Sequence, residues 1–360
     1  MAKLDKERRE QYSRKVEEDF PGRLEMPVFI KRLSLRYGMN PGEPAAFYAE
    51  EKASGPNMAS FNVLQEGKGL GYINLGDMDL GMQIVRHLYF IFDRPTCCIV
   101  KHEMPSGVAI GENVSEAFER AFGCDPMSSF GGVYVFSHTL SQNVAQKLVE
   151  KERNVEVVCA PFYESDSLDV FKERKNLRVI QIADITTESV DNGLDFKRVE
   201  GGLLVQYKSR TRIRGRDDLE CVSEKQPTDK QIRAAVFNWV IASYTRSNAI
   251  VIGTENKTHG IGSGQRSRID AAYDAIRFAN GRDGMIESYG SQGTFMASDA
   301  YMPFPDVVEL AARNGVEGII YPLGSERDKQ VIESANEKGL VMLVTRKPGT
   351  QDCERCFTHR

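Results

Sequence analysis

The chain has 360 residues, 41% hydrophobic and 27% charged, with a net charge of −4; that length corresponds to roughly two to three folding units of about 150 residues, with enough apolar side chain for a sizeable core. This slightly acidic balance excludes the broad positive field of a nucleic-acid binder, and no apolar run approaches the ~20 residues of a membrane span. Seven cysteines, an odd number scattered along the chain, argue against a disulfide framework and for a reduced, cytoplasmic protein, and the mixed-charge start MAKLDKERREQYSRKVEEDF has no apolar core of a secretory signal.

Strand-like apolar runs alternate with segments of helical period, which predicts α/β layers. Leu35-Arg36-Tyr37-Gly38-Met39-Asn40-Pro41 reads as a turn in which Arg36 beside Tyr37 can hold an anion and stack an aromatic ring. The spacing of Met78, Met82, Val85, Tyr89 and Phe92 predicts a helix over 77–92, followed by a buried strand at 97–100. Directly after that strand come Lys101 and His102, then Pro105-Ser106-Gly107, read as a turn. Histidine is the side chain best suited to proton transfer near neutrality, and a neighbouring ammonium favours its neutral form; the competing reading is a surface lysine and a turn-capping histidine. Asn113 with Glu116 predicts a helix start, Met127-Ser128-Ser129-Phe130-Gly131-Gly132 a tight backbone approach or a strand end, 140–151 a helix and 155–159 a strand.

Residues 184–200 are polar and turn-rich, and 208–216 (KSRTRIRGR) form a basic run without interleaved aromatics, so a linker is expected across this region. The expected division is an N-terminal extension at 1–32, a first unit at 33–207, a linker at 208–227 and a second unit at 228–360. Thr228 with Gln231 is a capping box feeding a helix, followed by a strand at 249–253. Gly260-Ile261-Gly262-Ser263-Gly264-Gln265-Arg266-Ser267-Arg268 then reads as a glycine-rich turn opening a helix at Ser267, where Arg266 and Arg268 are candidate anion clamps. Its spacing is neither a P-loop nor a dinucleotide fingerprint. Ser298 to Asp306 places Tyr301 and Phe304 near Asp299 and Asp306, an arrangement able to stack and hydrogen-bond a heterocycle or to form a hydrophobic staple. Helix 306–314, strand 318–321, helix 326–338 and strand 340–345 complete the pattern. Cys353-Glu354-Arg355-Cys356 is a lone CxxC, and no second pair or zinc-deaminase signature accompanies it, so no transition metal is expected.

In this order RYGMNP, VKHEMPSG, MSSFGG, TRSNAIV, GIGSGQRSR, ASDAYMPFPD and a final Arg355-x-Phe357-x-His359 resemble the formyltransferase domain of the bifunctional AICAR transformylase/IMP cyclohydrolase family, from about Leu33 to the C-terminus. The resemblance implies two cytidine-deaminase-like α/β/α subdomains without the zinc site. It implies transfer of a formyl group from 10-formyltetrahydrofolate to the 5-amino group of AICAR, in a homodimer whose active sites lie at the interface. His102 matches the general base, with Lys101 and Asn248 beside the reacting centre. Arg36, Tyr37, Gly131, Glu156, Gln265, Ser267, Arg268, Tyr301, Arg355 and Phe357 match nucleotide-side positions, and Met127, Phe304 and Asp306 folate-side ones. The family also implies a monovalent cation, K+, near Thr245, Ser247 and Asp299. Where the family carries a His-Gln pair this chain has Gly42-Glu43, and 347–354 reads as an insertion before Arg355. The family's cyclohydrolase region has no counterpart in these residues, so ring closure is expected from a separate protein. The competing readings are a catalytically weak folate- or nucleotide-binding regulator of the same fold, a zinc-dependent deaminase, and an RNA-binding module.

Overall fold

The computed structural model describes residues 20–53, 57–187, 193–208, 211 and 213–345. Arg355, Phe357, His359 and the CxxC lie outside the described residues. Two six-stranded mixed sheets carry the fold, flanked by helices as α/β layers. The first sheet has strand order β3 (Asn62–Gln65), β8 (Arg178–Gln181), β7 (Val157–Ala160), β6 (Val133–Phe136), β4 (Thr96–Lys101), β5 (Met104–Ile110). The second runs β11 (Glu220–Cys221), β16 (Val341–Val344), β15 (Gly318–Tyr321), β14 (Phe295–Ser298), β12 (Ile250–Gly253), β13 (Thr258–Gly262). Each sheet has a parallel centre (β6-β7-β8; β14-β15-β16), an antiparallel edge strand on one side and an antiparallel hairpin on the other. The fold is therefore a topological duplication. Its halves meet hairpin to hairpin, where Ile110 N–H donates to Asn256 O at 2.8 Å and Thr258 Oγ1 bridges Val108 N and Val108 O.

Alternation along the strands sets the layers. In β4, Cys97 and Ile99 face an outer core under α2 (Val114–Phe122), α4 (Gln142–Leu148) and α5 (Ser165–Phe171); Cys98 and Val100 face a central one. Ile250 and Ile252 of β12 likewise face α7 (Arg268–Ala279), α8 (Asp306–Arg313) and α9 (Asp328–Lys338), and Val251 faces the centre. The central layer consists of α1 (Tyr72–Phe92) and α6 (Asp229–Ala242), buried between the sheets. A helix covered on both sides needs apolar residues all round, which α6 supplies from Ile232 to Ala242. Arg233 reaches solvent, and the two buried polar side chains each place a donor: Trp239 Nε1 donates to Thr211 Oγ1 at 2.6 Å, and Asn238 Nδ2 to Phe295 O at 3.1 Å. Among the described residues no helix is long and apolar enough to cross a membrane.

The helix expected to start at residue 77 begins at Tyr72, because Gly71 serves as N-cap and Asn74 Oδ1 accepts its N–H. Thr228 and Gln231 close the expected capping box, and Asn113 Oδ1 accepts Glu116 N–H. Helix 140–151 shortens to Gln142–Leu148, and the polar stretch after 184 contains β9 (Leu194–Val199), which pairs with β10 (Gly202–Tyr207) as a separate ribbon. A second ribbon joins β1 (Phe29–Leu35) to β2 (Ala45–Glu50). Pro105 and Gly107 lie inside β5 and not in a turn: the missing N–H of Pro105 falls where the β4–β5 ladder shifts register.

Gly260 and Gly262 correct the glycine-rich-turn reading in the same way. Both lie in β13 beneath α7, where a Cβ would fall 2.0 Å from Ala275 O and 1.9 Å from Ala271 O. These glycines let a helix backbone approach a strand. Gly262→Ala is expected to cost about 3 kcal/mol, the upper end for overpacking, since a backbone oxygen and not a flexible side chain must move. Urea unfolding that gives an unchanged midpoint would refute this close packing.

Candidate active site

The β4–β5 hairpin puts Lys101 at the end of a buried strand and His102 at its exposed tip. Lys101↔Met104 is the last pair of the ladder, so His102 and Glu103 alone make the turn, with φ of 55° and 58°. Two residues with positive φ in a two-residue loop are the signature of a type I′ hairpin, whose twist matches that of the strands. Lys101 Nζ donates to Phe130 O at 2.6 Å, which draws the ammonium toward the 127–131 segment. That segment is α3 (Pro126–Ser129), capped by Asp125 Oδ1 accepting Ser128 N–H. Gly131 follows at φ +77°, and a Cβ there would stand 3.8 Å from Lys101 Nζ. Lys101, His102, Met127 and Gln265 line one cleft of about 490 Å³ with Asp274, Phe278 and Arg282. Arg282 closes its far wall through an ion pair with Asp125 and a 2.6 Å bond to Ser128 Oγ.

Behind the hairpin lies a polar cluster. Glu156 Oε2 accepts from Asn74 Nδ2 at 3.3 Å and stands 3.6 Å from Arg178 Nη1. Arg178, almost fully buried, also donates through Nε to Gly69 O at 2.8 Å. Burial pulls its guanidinium below the ordinary arginine range; Glu156 opposes that shift, and Arg36 reinforces it. The Arg36 guanidinium stands 5.1 Å from the Tyr37 ring centroid. Glu156 N–H donates to Gly132 O, which links this cluster to the Gly131 loop. Arg36, Tyr37, Lys101, Gly131 and Glu156 thus fall in one region. Glu43, which replaces a family residue, folds back instead: its carboxylate accepts Asn40 N–H at 3.2 Å and Asn40 Nδ2 at 3.1 Å and closes its own turn.

The second group gathers at the start of α7. Arg268 Nη1 meets Asp299 Oδ1 at 2.5 Å and Ser298 Oγ at 3.0 Å, while Nη2 donates to Asn248 Oδ1 at 2.9 Å. Asn248 Nδ2 in turn donates to Gln265 O at 3.0 Å, which joins this group to the wall of the first cleft. Ser267 is the N-cap of α7, its Oγ accepting Asp270 N–H. Asn248, Ser267, Arg268, Tyr301, Phe304 and Asp306 line a second cleft of about 440 Å³ with the exposed Arg266. Tyr301 is half-buried rather than exposed, and Arg327 lies 4.5 Å from the centroid of the exposed Phe304 ring. Asp299, one of the two carboxylates read from sequence as able to hydrogen-bond a heterocycle, is fully buried under Arg268. Thr245 donates to Ile241 O, and Asp299 Oδ1 also takes Ala249 N–H. This donor set anchors Arg268, and no step is assigned to K+. Among the described residues no three His, Cys, Asp or Glu side chains converge as a metal site.

The model of the AICARFT/IMPCHase bienzyme family matches residues 1–277. The chain belongs to that family. It is 41% identical over 328 residues to the bifunctional purine biosynthesis protein PurH of Xylella fastidiosa (strain M12), an alignment covering 91% of this chain. The chain spans 59% of that relative's length. Asn74, Asp77 and Arg178 escaped the sequence reading of the site. An arginine opening an otherwise apolar strand was the one available signal for Arg178; nothing local marks the other two.

Proposed function

We propose that this chain transfers the formyl group of 10-formyltetrahydrofolate to the 5-amino group of AICAR, giving formyl-AICAR and tetrahydrofolate, in the cytoplasm. The observation that carries this reading is the Lys101–His102 pair at a hairpin tip on the mouth of the larger cleft, the imidazole exposed and the lysine drawn to the Gly131 loop. The aryl amine of AICAR is conjugated to its carboxamide and is a weak nucleophile, so its proton must leave as the N–C bond forms. His102 takes that proton. The formyl oxygen gathers negative charge in the tetrahedral intermediate, where Lys101 supplies a cation and the Asn248 amide a donor. The N10–carbon bond of the folate then breaks, and N10 recovers a proton from the imidazolium.

Arg36, Tyr37 and Glu156 on one side, and Arg268 and Tyr301 on the other, suit the nucleotide's phosphate, ribose and ring; Phe304, Asp306 and Met127 suit the pterin. In a homodimer the active sites lie at the interface between the subunits. Mixing the protein with AICAR and 10-formyltetrahydrofolate and following tetrahydrofolate absorbance tests the reading, with chromatography to separate formyl-AICAR from IMP. Tight binding of both ligands without turnover would replace it with a regulatory role.

A further inference from the structure

Both residues of the catalytic hairpin turn adopt the left-handed conformation, although neither is glycine or asparagine. Type I′ turns strongly favour Asn-Gly, so His-Glu needs outside support. That support comes from α1. Asp77, 3% exposed, aims its carboxylate at the turn: Oδ2 accepts His102 N–H at 3.2 Å and Oδ1 accepts Glu103 N–H at 2.5 Å. The preceding helical residue is Gly76, where a Cβ would fall 2.6 Å from Glu103 Oε1, so the tip lies close against the helix.

We infer that Asp77 is a positioning residue for His102: its ionised carboxylate clamps the two turn amides and so fixes the direction in which the imidazole is presented. This rests on His102 being the base proposed above. The clamp is two-point, so it constrains the rotation of the turn as well as its place. Only the ionised form offers both oxygens as acceptors. Burial pushes the Asp77 carboxyl up to about 6, against the pull of the two amide donors. The titratable groups facing it are His102 and Glu103 on the turn and the Cys98 thiol on β4, itself pushed up by burial. Folding thus favours the protonated form. Stability falls as pH rises from the ordinary carboxylate value of 3.8 to about 6, whereas positioning improves over the same window. The group trades stability for geometry.

Asp77→Asn keeps the shape and imitates the protonated state. In the wild-type chain, labelled with 15N at histidine and glutamate, the His102 and Glu103 amide protons should lie downfield once Asp77 is ionised, as donors to a carboxylate do, and both should move upfield in Asp77→Asn. The variant should keep its melting temperature within a degree or two of wild type or above it, yet lose roughly 10-fold or more in kcat with KM for AICAR changed by less than about 3-fold. Its acid limb should be one proton shallower. Amides that ignore both pH and the substitution would overturn the proposal, as would unchanged kcat, or a kcat loss that merely follows a drop in melting temperature. If the amides respond but the wild type does not formylate AICAR, the transfer reading falls and the clamp on the turn stands.

Discussion

Replacing His102 with alanine is expected to lower kcat for formyl transfer by about 100-fold or more, the low end for losing a general base. The site makes this a clean test. His102 is exposed at a hairpin tip and its side chain packs into no core cluster, so the substitution leaves folding intact. KM for AICAR should change little, because the interaction lost is one made only as the proton moves. One complication is backbone: φ at this position is 55°, where alanine is strained. His102→Asn removes that objection, since asparagine tolerates the left-handed region. Both variants should lose the same activity. If either turns over at close to the wild-type rate, the imidazole is not the base.

Much of the fold was legible because the central strands β6, β7, β12, β14, β15 and β16 are short, fully buried runs, and several helices between strands open on a capping residue. Asn113, Thr228 and Ser267 are N-caps whose side chains accept the expected amides. Three of the errors share one cause. Gly260, Gly262 and Gly107 carry turn composition but lie in strands, because α2 and α7 lie so close that no side chain fits: a Cβ at Gly107 would fall 2.0 Å from Ala121 O. Glycines spaced by two in β13 share one face of a strand, a period that composition alone conceals. The duplication came from the family resemblance, which implied two like subdomains, and not from residue patterns: the halves share hydrogen-bond topology, while their strands carry different residues.

The site was legible where chemistry is local and illegible where it is assembled. Lys101 and His102 are adjacent in sequence. Asp77 reaches His102 across 25 residues, Asn74 reaches Glu156 across 82 and Arg178 reaches Gly69 across 109. Each of these is a polar side chain that burial forces to find a partner, and only the fold says which partner. The same logic changes what Arg268 is. From sequence it read as an anion clamp; in the fold its charge is already opposed.

Arg268→Ala is therefore expected to cost about 3–5 kcal/mol of stability as well as affinity for AICAR, because it strands the Asp299 carboxylate in the interior. The Arg268 side chain is 8% exposed and that of Asp299 0%. Asn248 also loses the guanidinium that its Oδ1 accepts from, so the donor proposed for the formyl oxygen is loosened at the same time. Arg268→Lys keeps the charge but not the planar fork that serves Asp299, Ser298 and Asn248 together, and should fall between the two. The double change Arg268→Ala with Asp299→Ala separates the roles: removing both charges should restore part of the stability and none of the affinity. Urea unfolding and calorimetric titration with AICAR read the two quantities independently. A single variant that melts like wild type would rule out the buried anchor, and one that binds AICAR like wild type would take Arg268 out of the nucleotide site.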